Sequence, residues 1–224
     1  MYLAPPGGLF VERVIVLHSG GLDSTVALLM AVEEGRNPVS LGIDYRQHHR
    51  IELDYAEQIC RRFDIERRVL RIEWDKPLRE IPLDRTVEEM RVSRSSAFLP
   101  GRNIVFLSLG LAEAAGTGAT EVWLGINAVD YSGYPDCTQE FLNSFRKIVE
   151  IGMPDGPSIH APLLTFSKPE IAKKAMEFGF GPDDTWSCYR PVSKHGNPRP
   201  CGRCDACKLH NYAWEPFRRD AITS

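Results

Sequence analysis

From residue 14 onward the chain switches repeatedly between two kinds of apolar pattern. Val14, Ile15, Val16 and Leu17 form an unbroken aliphatic run, the mark of a strand covered on both faces. Residues 25–34 then carry apolar side chains at helical spacing. The pair of patterns returns as a strand over 38–45 and a helix over 51–63, a strand over 66–72, a helix over 104–117 and a strand over 120–126. Such alternation predicts an α/β fold, a parallel sheet with helices on both faces. Gly35 and Gly116 are placed to stop helices. Ser167-Lys-Pro-Glu170 reads as a helix start, with Ser167 as N-cap and Glu170 completing a capping box. Residues 73–98 are polar and without period, and read as a surface excursion in preference to a lid.

The first strand runs straight into Ser19-Gly-Gly-Leu-Asp-Ser24. Gly20 and Gly21 permit a sharp turn that aims backbone N–H groups into one small space, which the positive end of the next helix also faces. Ser19, Ser24 and Thr25 add hydroxyls. A phosphate fits such a place, but Asp23 would repel it unless a divalent cation lay between them, so the loop predicts bound Mg²⁺. The Gly-Lys-Ser/Thr ending of a Walker loop is missing, as is the third glycine of a dinucleotide fingerprint. The motif resembles instead the PP-loop of ATP pyrophosphatases, which adenylate a substrate and release pyrophosphate. An ordinary strand–turn–helix with a Gly-Gly connector is the plainer reading.

Ligands of open parallel sheets bind beyond the carboxyl ends of the strands, and the polar loops follow that rule. Strand 38–45 ends in Asp44-Tyr-Arg-Gln-His-His-Arg50, and strand 120–126 leads into Asn127-Ala-Val-Asp-Tyr-Ser-Gly-Tyr-Pro-Asp-Cys137. Pro100-Gly-Arg-Asn103 opens directly into a helix, where Arg102 and the first amides can meet an anion.

A net charge of −3 provides no basic footprint of the kind a dedicated nucleic-acid binder shows. No apolar run reaches membrane-spanning length, and prolines and glycines interrupt residues 1–11 where a signal peptide needs a continuous apolar core. The expectation is a cytoplasmic protein without membrane or nucleic-acid partners. With 43% hydrophobic residues among 224, one α/β domain over 1–184 can bury a full core, followed by a small segment over 185–224. That segment holds Cys188 and Cys201-Gly-Arg-Cys-Asp-Ala-Cys207. Four thiolates in this spacing suit a closed tetrahedral Zn²⁺ site, structural because no coordination position stays open. An iron–sulfur cluster is the competing reading; disulfides do not suit a reducing compartment. Cys60 reads as packing, and Cys137, without an evident base, as a weak nucleophile.

Taken together, Ser19–Ser24, Pro100–Asn103, Gly125–Cys137, Ser167-Lys168 with Glu170-Ile171, and Ser187-Cys-Tyr189 with Cys201–Cys207 resemble the 7-cyano-7-deazaguanine synthase family of queuosine biosynthesis. The likeness spans nearly the whole chain, and the Gly125–Cys137 block is its most specific part. It implies a Rossmann-like fold of the adenine nucleotide alpha hydrolase kind and a zinc-containing homodimer. It also implies ATP-dependent conversion of 7-carboxy-7-deazaguanine and ammonia to the nitrile, through an acyl adenylate and an amide. On this reading Ser19, Gly20, Gly21, Leu22, Asp23, Ser24 and Thr25 hold the ATP phosphates and Mg²⁺, and Lys168 meets the β/γ-phosphates. Arg102, beside Asn103, faces the substrate carboxylate or the adenylate. Asn127 belongs to the base-binding loop, Asp130 or Asp136 accepts from the guanine-like N–H edge, and Tyr131 or Tyr134 stacks on the base. The chain departs from the family in Tyr45-Arg-Gln-His-His49, where Arg46 replaces a glycine and is expected to reshape the loop. The stretch 72–98 is also shorter, and Lys208-Leu-His210 replaces Arg-Leu-Arg. These departures leave open a relative that stops at the amide or transfers the activated base to another amine, such as a protein. A tRNA-modifying PP-loop enzyme with an iron–sulfur cluster is a further alternative.

Overall fold

The computed structural model describes residues 12–47, 50–74, 80–127, 134–194 and 196–219. Five parallel strands, β1 (Arg13–Leu17), β2 (Asn37–Asp44), β3 (Glu66–Arg71), β4 (Glu121–Leu124) and β5 (Ser158–His160), form one sheet in the order β3-β2-β1-β4-β5. The helices are α1 (Leu22–Glu33), α2 (Ile51–Arg62), α3 (Val87–Val92), α4 (Arg102–Thr117), α5 (Gln139–Gly152), α6 (Lys168–Glu177) and α7 (Asp205–Arg219). An exposed hairpin of β6 (Val192–Lys194) and β7 (Asn197–Arg199) precedes α7.

Alternation along β1 distributes its side chains between two cores. Ile15 faces one, with Leu107 and Leu111 of α4 and Leu142 and Phe145 of α5. Val14 and Val16 face the other, with Leu28 of α1 and Cys60 of α2. On the α1 side, Leu22 and Val26 continue into a cluster with Ile171 and Ala172 of α6 and Trp214 of α7. The expected parallel sheet with helices on both faces is therefore present. Among the described residues, no helix is long and apolar enough to cross a membrane.

Most element ends shift by a residue or two, and two helix-end readings change in substance. Helix α1 starts at Leu22, directly after Gly21, so Asp23 and Ser24 stand in its first turn, nearer the helix amides than a start at residue 25 implied. Gly116 lies inside α4 and does not stop it; Gly118, at φ 70°, supplies the left-handed end. The Ser167 N-cap and Glu170 capping box form as expected. Helix α3 was hidden in the polar stretch 73–98. It has a capping box of its own at Thr86, buries Met90, and is tied to the cysteine segment by the Asp84 N–H to the Arg203 carbonyl, 2.8 Å.

Strand order reverses at β1, whose neighbours are β2 and β4. The crevice beyond the carboxyl ends of β1 and β4 is thus the place a ligand enters. Two glycines bring backbone together there. Gly20, at φ +90°, lies so close to α2 that a Cβ would stand 2.1 Å from the Glu52 carbonyl and 2.8 Å from the Ala56 nitrogen. Gly125, just past β4, presses on the backbone of Asp23 and Ser24, 2.7 Å from where its Cβ would be. Behind the loop, buried His18 bonds Ser40 Oγ through Nδ1 at 2.8 Å and Thr25 Oγ1 through Nε2 at 3.2 Å, and Arg67 Nη1 donates to the same Ser40 oxygen at 2.8 Å. Burial, reinforced by the Arg67 charge, pushes the His18 pKa down to about 3, so the imidazole is neutral.

Two outcomes follow for stability. Gly20→Ala meets backbone atoms that cannot rotate away, and denaturant melts should show a loss of at least about 2 kcal/mol. For His18 the unfolded chain takes up its proton near pH 6.5 and the folded chain only near pH 3. Stability held by the neutral ring is therefore present above pH 6.5 and lost as pH falls. The stability difference between wild type and His18→Gln should shrink by up to about 1.4 kcal/mol per pH unit through that window; a difference constant from pH 7 to 4 would refute the assignment.

Candidate functional site

The loop after β1, the loops after β2 and β4, the start of α4, the start of α6 and the cysteine segment surround one cavity of about 570 Å³. Ser19, Gly21, Leu22, Asp23 and Ser24 line it at one end. Ser19 N–H and Oγ both approach Ser24 Oγ, at 3.2 and 3.1 Å, and Ser24 Oγ donates to the Gly21 carbonyl at 3.1 Å, which holds the loop in a tight curl. Leu22 lines the cavity while its side chain belongs to the apolar cluster under α1. Gly20 and Thr25 stand behind the surface: Gly20 against α2, and Thr25 with its hydroxyl on His18. Their contribution is to the loop's shape.

Lys168, at the capped start of α6, reaches across to this end and its Nζ is in direct contact with Asp23 Oδ2. The pair is 145 residues apart in sequence, yet the α6 N-cap and the first turn of α1 aim both side chains at one point. Cation and carboxylate are thereby poised where phosphate oxygens and a divalent ion would each find an opposite charge.

Arg102 begins α4 and projects into the middle of the cavity. Burial opposes its charge, but the oxygens of Tyr45, Tyr189 and Tyr134 around it prevail and hold it above the ordinary arginine range. It is a fixed cation ready for a carboxylate or phosphate. Asn103 lines the same cavity. Its Nδ2 donates to the Asp136 carbonyl at 3.2 Å and to Cys137 Sγ at 3.5 Å, so it braces the short 3₁₀ turn Pro135–Cys137. Asn127 lines the cavity and donates through Nδ2 to the Phe166 carbonyl, tying the β4 loop to the α6 loop. Tyr134 also lines the cavity, with one face stacked on Phe98 at 5.2 Å. Asp136 is buried behind the turn and is pushed up by that burial. Asp130 and Tyr131 lie outside the described residues. Burial pushes the Cys137 thiol up to about 12, which favours the protonated thiol and agrees with its reading as a weak nucleophile.

Sequence reasoning missed Glu52, in the first turn of α2, whose only signal was its place at the sheet edge beside the β2 loop. It lines the cavity, accepts from Gln47 Nε2 at 3.0 Å, and is pushed up to about 7 by burial, against the pull of Arg102. Tyr45, Trp74 and Phe106 form an aromatic wall beside it, with Tyr45 edge-on to Phe106 at 5.3 Å. Arg46 takes the left-handed conformation a glycine would take, φ 56°, and donates to Glu73 Oε1 at 3.0 Å. The backbone at that point makes a left-handed turn of the kind glycine adopts most easily.

Cys188, Cys201, Cys204 and Cys207 converge with all four sulfurs within 4.8 Å of one another. Backbone N–H groups of Arg190 and Cys201 donate to Cys188 Sγ, and those of Arg203 and Cys204 to Cys201 Sγ, at 3.3 to 3.4 Å. Such bonds stabilise thiolates and orient metal ligands. The cluster abuts the cavity: Trp186 packs on the cysteines and on Tyr55 of α2, at 5.5 Å, and its backbone N–H donates to the Gly20 carbonyl at 3.0 Å. The cysteine segment therefore braces the Ser19–Ser24 loop from behind.

Comparison with known proteins agrees with this geometry. A protein from Rhodopseudomonas palustris named 7-cyano-7-deazaguanine synthase 2 is 54% identical over 207 residues, covering 92% of this chain and 99% of its own. A 7-cyano-7-deazaguanine synthase from Novosphingobium aromaticivorans is 40% identical, covering 90% of this chain and 89% of its own. Among solved structures, the U34-tRNA thiolase NcsA from Methanococcus maripaludis with its [4Fe-4S] cluster superposes with TM-score 0.52 at 14% identity, over 95% of this chain and 67% of that one. A 4-thiouridine synthetase with RNA and bound ATP superposes with TM-score 0.51 at 19% identity, over 95% and 54%. These two share the fold. The model of the queuosine biosynthesis protein QueC matches residues 13–218, from the first strand to the end of the last helix. The loop, the capped lysine, the β4 block and the cysteine cluster all fall within that span, and the chain belongs to the QueC family.

Proposed function

We infer that the protein is an ATP-dependent carbon–nitrogen ligase that converts 7-carboxy-7-deazaguanine and ammonia into 7-cyano-7-deazaguanine, using two ATP per turnover. The observation that carries this reading is a single cavity onto which the Ser19–Ser24 loop, Lys168 and Arg102 all open, in a chain of the QueC family. A carboxylate is a poor electrophile because its leaving group would be oxide. Adenylation replaces that leaving group by AMP, and ammonia then displaces AMP to give the amide. Adenylation of the amide oxygen lets dehydration proceed to the nitrile. Neither step needs a covalent nucleophile from the protein, and Cys137 offers none; what is needed is placement and neutralisation of negative charge.

In this reading the α1 amides and Ser19 and Ser24 cradle the phosphates, and Lys168 neutralises them. Asp23 would hold Mg²⁺, which lowers the charge on the departing pyrophosphate. Arg102 orients the substrate carboxylate, and Tyr134 and the aromatic wall of Tyr45, Trp74 and Phe106 enclose the base. Asp136, buried behind its turn, supports that loop in place of meeting the base. The four cysteines would hold Zn²⁺. A tetrahedron with Zn–S of about 2.3 Å sets sulfurs about 3.8 Å apart, and Cys201 and Cys207 stand at 3.9 Å. A four-iron cube, with each thiolate on a different iron, needs them farther apart. Assembly as a homodimer and a cytoplasmic location complete the proposal.

The test is incubation with ATP, Mg²⁺, ammonium and 7-carboxy-7-deazaguanine, with mass analysis of the base. The nitrile is expected; amide alone, or a base attached to another amine, would overturn the assignment while leaving adenylation standing. Lys168→Ala should lower pyrophosphate release about 100-fold or more with the fold intact by circular dichroism, and an unchanged rate would remove Lys168 from the reaction. Elemental analysis should find about one zinc per chain, and chelation should lower the melting temperature; iron with brown absorbance would refute the zinc assignment.

A further inference from the structure

Three carboxylates of the described residues line the cavity, and they are held differently. Asp23 is paired with Lys168, and Asp205 with Arg85 at 2.7 Å. Glu52 is held by a neutral amide, Gln47, at 3.0 Å. It therefore keeps its proton-accepting capacity, and it sits beside Arg102, the group placed to hold the reacting carboxyl.

The proposed reaction makes a specific demand at that spot. Ammonia in neutral water is mostly ammonium, which has no lone pair. Its nitrogen enters with four hydrogens and leaves as a nitrile nitrogen with none. One proton must go before attack. A second leaves when the C–N bond forms and the C–O bond to AMP breaks, the oxygen taking the bonding pair. A third is lost when the amide oxygen attacks the second ATP, and a fourth when the remaining C–O bond to AMP breaks and the C≡N bond completes. All four come from one nitrogen, bound to the carbon that Arg102 positions.

We propose that Glu52 is a catalytic residue of this site, the carboxylate that receives ammonium next to the adenylated carboxyl and takes protons from the nitrogen, passing them to water at the cavity mouth. The assignment rests on the ligase reading above. Its anionic form attracts the ammonium cation, and its protonated form releases neutral ammonia, which the nearby Arg102 charge does not bind. Burial, which raises Glu52 to about 7 against Arg102 and the Gln47 bond, makes exchange in both directions easy at neutral pH. Among the described residues, the charged and titratable groups about it are Arg102 from α4 and Tyr45 from the β2 loop, with Tyr189 beyond Arg102. Asp23 and Lys168 engage each other, and Arg46 donates to Glu73 at the rim.

The experiment uses the intact enzyme and Glu52→Gln, which preserves shape and removes the basic oxygen. Pyrophosphate exchange with ATP and 7-carboxy-7-deazaguanine reads adenylation before ammonia enters, and should stay within about threefold of wild type. Amide formation from ammonium at pH 7 should fall about 100-fold or more. Hydroxylamine, an amine that is unprotonated at pH 7, should trap the adenylate as hydroxamate at near wild-type rate in both proteins. The variant's ammonium reaction should recover as pH rises to 9 and free ammonia increases. Equal loss with ammonium and hydroxylamine, loss of exchange, or no loss with ammonium would each overturn the role of Glu52. Absence of exchange in wild type would instead overturn the ligase reading on which it stands.

Discussion

The close approach of backbone to backbone at the carboxyl ends of β1 and β4 is the constraint on which the rest of the site depends. Gly20 lies against the first turn of α2, Gly125 lies against the first turn of α1, and the Trp186 N–H closes on the Gly20 carbonyl. No side chain fits between these segments. The curl of the Ser19–Ser24 loop is thus set by three pieces of backbone from distant parts of the sequence, and a loop fixed in this way keeps its amides aimed without a ligand to organise them. This explains why a four-cysteine cluster lies directly beside the loop. Its packing through Trp186 and Tyr55 is one of the three walls.

The electrostatics of the site run against stability, and the two buried titratable groups on either side of the loop show how. His18 is kept neutral and Glu52 half-protonated by the same removal from water. On acidification from pH 6.5 to 4.5 the unfolded chain takes up the His18 proton first, which destabilises the fold, whereas the folded chain already holds more of the Glu52 proton, which stabilises it. The two tendencies oppose one another in that window, and below it His18 acts alone. A carboxylate poised for proton exchange and a neutral imidazole bracing the loop therefore offset each other's pH dependence near neutrality.

Much of this was legible in the sequence, for reasons that can be located. The strand and helix alternation of β1 to β4 follows from side chains meeting two cores, and Ser167–Glu170 declared its own N-cap. The four cysteines were readable because they depend on residue type and spacing, whereas the contact between Asp23 and Lys168, 145 residues apart, was not. What escaped was set by tertiary geometry. Thr25 looks like one more loop hydroxyl until the helix is seen to start at Leu22, which turns it inward to His18. The burial of Asp136 comes from the 3₁₀ turn Pro135–Cys137, which no periodicity announced. Glu52 looks like an ordinary surface position of an amphipathic helix, and only the packing of Gly20 on α2 turns it into a wall of the cavity.

Arg46 has a consequence of another kind. An arginine in the left-handed region costs on the order of 1 kcal/mol relative to glycine, and here the turn is made at φ 56° while the side chain extends to Glu73 at the entrance. The path of the main chain at the rim is consequently dictated by what lies beneath it, and the side chain above is free to vary. Entrances built in this fashion can gain or lose charge in single evolutionary steps, changing which molecules linger at the opening while the interior machinery is inherited intact.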